Sequence, residues 1–262
     1  MKKKKMTHEK EIPSATVYDV REERFCYPEK SHAKSFKDGK DWGSDFINEW
    51  CLDYHELVSD ARYSEIVEQA ANGILCEGKL LNQEFNAQQL ADRLMEVKNN
   101  KCKEIRECAA RLYSAESFLY KLINTVLRAD DKSKVDTLGA YCYLLDDYLM
   151  NSNDHGELTV YRGCTLTDEM IAEYKHFVGK WISWLAFTST TKAPQVAEMF
   201  SRNTLFIIHI RDTSQCYKCD ISSLSQFTHE QEVLLTAAHY FYVTKIKRDR
   251  QSQKYLIYLT SL

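Results

Sequence analysis

A chain of 262 residues with 44% hydrophobic, 12% aromatic and 28% charged residues has the balance of a folded globular protein, and the length suits one or two domains. Its 35 Lys and Arg against 38 Asp and Glu give a formal net charge of -3, without the global basic bias of a nucleic-acid surface, and no nucleic-acid partner is expected. No run approaches the roughly 18 consecutive apolar residues of a membrane span, so no transmembrane segment is expected either.

The basic start, "MKKKKMTHEK", is not followed by the apolar stretch of a secretion signal, and the lysine run reads as a solvated end. Residues 1–40 mix charge with Pro13 and Pro28 without a sustained period, the pattern of a flexible N-terminal arm. Residues 41–152 then read as a helical subdomain. Leu90, Leu94 and Val97 share a stripe, as do Cys102, Ile105, Ala109 and Leu112; Phe118, Leu119, Leu122, Ile123, Val126 and Leu127 form a broad apolar face, and Leu138, Tyr141, Cys142, Leu145, Tyr148 and Leu149 repeat it. Such stripes predict a packed helical core.

The pattern changes after "NSNDHGE" (151–157), whose composition signals a turn. Residues 153–262 form the second unit, with strands expected over "LTVYRG" (158–163), "WISWLAFTS" (181–189), "TLFIIHI" (204–210), "EVLLT" (232–236), "HYFYVTKI" (239–246) and "KYLIYLT" (254–260). Two short helices interrupt them, one capped by Thr167 and one running near Pro194 to Phe200. Helices first and strands afterwards predict an α+β fold.

The nine cysteines are an odd number spread over helical and strand patterns, several at apolar helical positions, as expected of free thiols in a reducing interior. Cys216 and Cys219 make a lone C-x-x-C. Zinc would need two more ligands at recognisable spacing, and no metal site is expected.

The stretch "FTHEQEVLL" (227–235) sets Glu230 and Glu232 two residues apart at the mouth of an apolar run. If Glu230 already lies in the strand, alternation sends both carboxylates to one face with Leu234, and Gln231, Val233 and Leu235 to the other. Two further motifs precede it in order: "YRG" (161–163) on the first strand and "FTSTT" (187–191) at a strand end. Arg, then a Ser-Thr-Ser-like motif, then Glu-x-Glu resembles the R-S-E class of mono-ADP-ribosyltransferases, which includes vertebrate arginine-specific enzymes and bacterial toxins and effectors. The resemblance covers about residues 155–260 and departs at Ser189-Thr190-Thr191, where the last serine of the family motif is a threonine.

The resemblance implies a core of two facing, mainly antiparallel sheets with an NAD cleft, NAD as cosubstrate, no metal, and transfer of ADP-ribose to arginine of a protein acceptor, a host protein if the chain is an effector. Its implied cofactor-binding set is Arg162, Gly163, Ser189, Thr190, Phe200 and Glu232. A fixed carboxylate stabilises the oxocarbenium-like transition state as nicotinamide leaves, the role of Glu232. Ser189 orients that carboxylate, and the planar fork of Arg162 suits the phosphate and ribose oxygens of the dinucleotide. Glu230 would hold and partly deprotonate the incoming guanidinium. Phe227 either meets the protein substrate or anchors its loop; Phe200 either flanks nicotinamide or packs in the core; His229 reads as a solvated loop residue. The competing readings are an NAD glycohydrolase, with water as acceptor, and an NAD-binding pseudoenzyme or interaction module. The place of work is the cytoplasm, or a host cell entered without a Sec signal.

Overall fold

The computed structural model describes residues 36–39, 43–56, 62–152, 154, 156–212 and 218–261. The first six helices are α1 (Asp45–Asp53), α2 (Tyr63–Leu80), α3 (Glu84–Glu96), α4 (Cys102–Ser114), α5 (Phe118–Ala129) and α6 (Val135–Met150). Ser44 and Ser117, side-chain acceptors at the N-caps of α1 and α5, satisfy amides that have no partner within the helix. The apolar stripes meet in one core built on Trp50, Ile66, Ile74, Leu94, Ile105, Leu119, Ile123, Leu138 and Leu145. Helices α2 and α6 cross at Gly73, where a Cβ would stand 1.7 Å from the Thr137 carbonyl oxygen; only glycine permits that approach.

Among the described residues, nine strands follow the order β1-β3-β8-β9-β5-β2-β4-β7-β6: β1 (Lys37–Asp38), β2 (Leu158–Cys164), β3 (Trp181–Trp184), β4 (Thr188–Thr191), β5 (Thr204–Ile210), β6 (Lys218–Asp220), β7 (Glu232–Leu235), β8 (His239–Arg248) and β9 (Tyr255–Ser261). The pairings are antiparallel except β5 with β9. Helices α7 (Asp168–His176), capped by the Thr167 hydroxyl, and α8 (Pro194–Phe200), with proline in its first turn, stand where the sequence placed them. This is an α+β fold.

The sheet is continuous but nearly two sheets. Between β2 and β4 the ladder consists of one pair, Tyr161 with Thr191, so a six-stranded half meets a three-stranded half, β4-β7-β6. The halves face each other. Strands β3 and β4 stand five places apart in the order, which laid flat would be about 24 Å, yet three residues, Leu185–Phe187, join them with a reach of at most about 14 Å. Thr236–Ala238 makes the return crossing from β7 to β8, and Ala238 N donates to the Leu185 carbonyl (3.2 Å), tying the two crossings together. Between the halves lies a second core of Val160, Trp184, Phe206, Ile208, Val233, Leu235, Phe241 and Leu259.

Three expectations change. The single strand expected over 181–189 is two strands in different halves, broken where Ala186 and Phe187 turn into the helical core. Strands β1 and β6, of two and three residues, are too short to leave a periodic signal. Of the expected arm, Phe36–Gly39 is ordered: Phe36 is buried against Tyr174 and Phe177, with ring centroids at 4.7 and 4.9 Å, and β1 edges the sheet beside β3. Residues 1–35, Lys40, Cys26 and Cys216 lie outside the described residues. The helical core also continues past residue 152, taking in Cys219, Ile221 and Leu234 from the three-stranded half.

Candidate active site

Glu232 opens β7 and is 1% exposed. Glu230 does not lie in the strand. It closes a 3-10 turn, Thr228–Glu230, and Gln231 then adopts a left-handed conformation (φ 48°, ψ 48°) before the ladder begins. The expectation that alternation aligns the two carboxylates is therefore corrected: a turn, not a pleat, sets the position of Glu230. That turn still buries it, at 3% exposed.

The partner strand β4 is buried along its whole length. Its register sets Thr191 directly opposite Glu232 and Ser189 opposite Leu234, so Ser189 is the diagonal same-face neighbour of Glu232, roughly 7 Å away in such a pair. Thr190 alternates to the other face, where its hydroxyl donates to the Val233 carbonyl (2.7 Å). The Thr191 hydroxyl donates to the Glu230 carbonyl (2.6 Å) and accepts from Ala193 N (3.0 Å). The next residue continues the contact, Lys192 N donating to the Gln231 carbonyl (3.1 Å).

Arg162 sits where β2 and β4 part. It is 4% exposed, and its Nη1 donates to the Ser189 carbonyl (2.7 Å). Continuing the Tyr161–Thr191 register would put Ser189 opposite Gly163; instead the ladder stops and the guanidinium takes the carbonyl. Gly163 serves packing: a Cβ there would stand 1.9 Å from the Ala197 carbonyl oxygen and 2.7 Å from Ser201 N, because α8 rests on β2 at this point. Phe200, at the end of α8, is 6% exposed.

Ahead of the glutamates, Phe227 is half-buried, its amide donating to Ser225 Oγ (3.1 Å), while Thr228 and His229 are exposed and the His229 ring stands 6.4 Å edge-on to Phe227. The loop is pinned at its base. Ile221 N donates to the Glu232 carbonyl (3.0 Å), and Asp220 pairs with Lys192 and accepts from Ser222 N (2.9 Å). Burial works to raise the Asp220 carboxyl, but Lys192 and the Ser222 donors outweigh it and hold it below the usual carboxylate range.

The structure thus gathers Arg162, Ser189, Thr190, Glu230 and Glu232 onto three neighbouring strands and the turn leading into one of them. It adds two residues that the sequence reading passed over. Thr191 was signalled by its two-residue offset from Ser189, and Tyr161, half-exposed and level with Thr191 and Glu232 in the ladder, by its place beside Arg162. One buried guanidinium on β2 and two buried carboxylates at the start of β7 make a donor and acceptor set that fits a dinucleotide: the cation suits its diphosphate, a carboxylate its ribose hydroxyls. Among the described residues no cluster of three or more His, Cys, Asp or Glu is arranged to hold a metal ion.

The family model for NAD:arginine ADP-ribosyltransferase matches residues 60–262, well over half of the chain. The chain belongs to this family. As an ADP-ribosyltransferase it has NAD as its donor substrate, consistent with the donor set above. Solved structures of similar fold include the type III effector XopAI from Xanthomonas axonopodis pv. citri, at 15% identity and TM-score 0.57, covering 83% of this chain and 98% of that one. The ADP-ribosyltransferase HopU1 of Pseudomonas syringae pv. Tomato DC3000 is 19% identical with TM-score 0.52 over 97% of this chain and 100% of its own. Exoenzyme S from Pseudomonas aeruginosa, in complex with human 14-3-3 protein beta and bound to carba-NAD, is 18% identical with TM-score 0.52 over 74% and 88%. At these identities the likeness is one of fold. No curated protein sequence matches the chain. No helix among the described residues is long and apolar enough to cross a membrane.

Proposed function

We propose that this ADP-ribosyltransferase transfers a single ADP-ribose from NAD to an arginine side chain of a protein acceptor, with Glu232 serving the ribose and Glu230 the acceptor. The observation that carries the reading is the pair of buried carboxylates at the start of β7, 1% and 3% exposed, one fixed in the ladder and the other delivered by the left-handed turn at Gln231. A lone carboxylate would serve for nicotinamide release. A second one, buried two residues away, is chemistry for a cationic acceptor.

In this reading Glu232 stabilises positive charge developing at the ribose as the bond to nicotinamide breaks. Arg162 holds the diphosphate; its rigid position against the Ser189 carbonyl supports that role. Glu230 binds the acceptor guanidinium and takes the proton it loses on bonding to the ribose carbon. In the same reading Phe227, half-buried on the loop before the glutamates, meets the protein acceptor. The free thiols Cys51, Cys76, Cys102, Cys108, Cys142, Cys164 and Cys219 support work in a reducing interior, either the producing cell's or, as for the type III effector among its structural neighbours, a host's.

The test is ADP-ribose transfer from labelled NAD, with agmatine and with a cell lysate as acceptors, for wild type, Glu232→Gln and Glu230→Gln. Agmatine labelling lost in both variants, with nicotinamide release surviving in Glu230→Gln, supports the assignment. Nicotinamide release without any acceptor labelling in wild type makes the protein an NAD glycohydrolase instead.

A further inference from the structure

Glu232 and Glu230 are two residues apart but are held by different means. The Glu232 main chain belongs to a ladder: it faces Thr191 on β4, and its carbonyl accepts from Ile221 N (3.0 Å) on the other side. The Glu230 main chain precedes the ladder. Its amide is used inside its own turn, donating to the Phe227 carbonyl (3.0 Å), and its carbonyl accepts the Thr191 hydroxyl across the strand gap (2.6 Å).

That hydroxyl has little freedom. Its single proton goes to Glu230, its lone pair receives Ala193 N (3.0 Å), and the β-branched side chain, 1% exposed on a buried strand, is stiff about χ1. Ala193 in turn is the N-cap of α8, the helix that rests on Gly163 beside Arg162. One side chain therefore links the turn carrying the acceptor glutamate to the frame that carries the rest of the site.

We infer that Thr191 is a positioning residue that sets the partition of ADP-ribose between an arginine acceptor and water, acting through the Glu230 carbonyl. The inference rests on the functional reading given above. In both outcomes the C1′–N bond to nicotinamide breaks and its electron pair leaves with nicotinamide. In transfer, a guanidinium nitrogen bonds to C1′ and its proton passes to the Glu230 carboxylate. In hydrolysis, water oxygen bonds to C1′ and its proton goes to solvent. The first needs Glu230 within hydrogen-bond reach of the acceptor; the second does not. Releasing the turn from Thr191 should cost transfer and spare hydrolysis.

The experiment compares wild type, Thr191→Val, which keeps the shape and removes the hydroxyl, and Thr191→Ser, which keeps the hydroxyl, using full-length protein, NAD and agmatine. Thr191→Val is expected to lower agmatine labelling about tenfold, the scale of one buried hydrogen bond with its acceptor left exposed to loss. Nicotinamide release without acceptor should stay within about threefold of wild type, and Thr191→Ser should restore labelling. Matched melting temperatures separate a folding defect from a site defect. Equal losses of transfer and hydrolysis in a folded Thr191→Val protein, or full transfer in it, overturn the inference. Wild type that releases nicotinamide but never labels agmatine overturns the arginine-transfer reading itself, and this inference with it.

Discussion

The two halves of the sheet are made of similar strands and held in opposite ways. In the six-stranded half, β2, β5 and β9 are seven residues each and pair along their full length. In the three-stranded half, β4, β7 and β6 have four, four and three residues. Ladders so short cannot hold a register by themselves. What holds them is burial on both faces, Val233 and Leu235 in the inter-sheet core and Leu234 in the helical core, together with side-chain bonds from Thr190, Thr191 and Arg162 to main-chain carbonyls. The lesson is that the hydroxyls and carboxylates of the candidate site occupy the half in which position is decided by individual side chains, with Arg162 and Gly163 reaching in from β2 where the halves meet; single substitutions there should act on chemistry, whereas the rest of the long half should answer mainly in stability.

The largest expected effect comes from Glu232→Gln, which should lower nicotinamide release by about a thousandfold, the scale of losing one preorganised electrostatic group, while the melting temperature holds. A melting temperature that collapses with activity would make Glu232 a structural residue and void the contrast. Next is Gly163→Ala against Gly73→Ala. Both put a Cβ within 2 Å of a carbonyl oxygen, at 1.9 and 1.7 Å, and each should cost about 1–3 kcal/mol by overpacking. Only Gly163→Ala, which pushes α8 from β2 beside Arg162, should also raise KM for NAD; equal KM values would say that the α8 contact does not shape the site.

Leu234→Ala removes a fully buried side chain directly opposite Ser189 on the neighbouring strand and should destabilise by about 2–5 kcal/mol, as should Ile208→Ala or similar truncations in the long half. The sharper outcome is kinetic: in protein kept below its melting temperature, Leu234→Ala should reduce turnover and Ile208→Ala should not. The smallest effect concerns pH. Burial raises the Asp146 carboxyl on α6 from 3.8 to about 7. The folded protein therefore binds this proton more tightly than the unfolded chain; the contribution is fully present below about pH 4 and is lost as pH rises through about 7. Asp146→Asn should raise the melting temperature at pH 8 by a few degrees and leave it unchanged near pH 4. A shift of the same size at both pH values would rule out this linkage.

Much of this protein was legible as a string of residues. The helical stripes from Leu90 to Leu149 became one core, the runs at 158–163 and 204–210 became β2 and β5, and Thr167 and Pro194 marked their helices, because periodicity, capping and ring-fixed φ angles are local properties. The order of "YRG", "FTSTT" and "EQE" likewise pointed to the family whose model matches the chain. Tertiary structure alone decided the break at Leu185–Phe187, which depends on Ala238 from the returning crossing; the ordering of Phe36, which depends on Tyr174 and Phe177; and the need for glycine at 163, which depends on Ala197. It also decided where Glu230 sits. Alternation describes a residue already in a strand, and whether Glu230 joins one depends on a left-handed Gln231 and on the hydroxyl of Thr191, 39 residues away in the chain. Local pattern reaches a few residues; the contacts that place these groups close over tens of them, and only packing can choose among them.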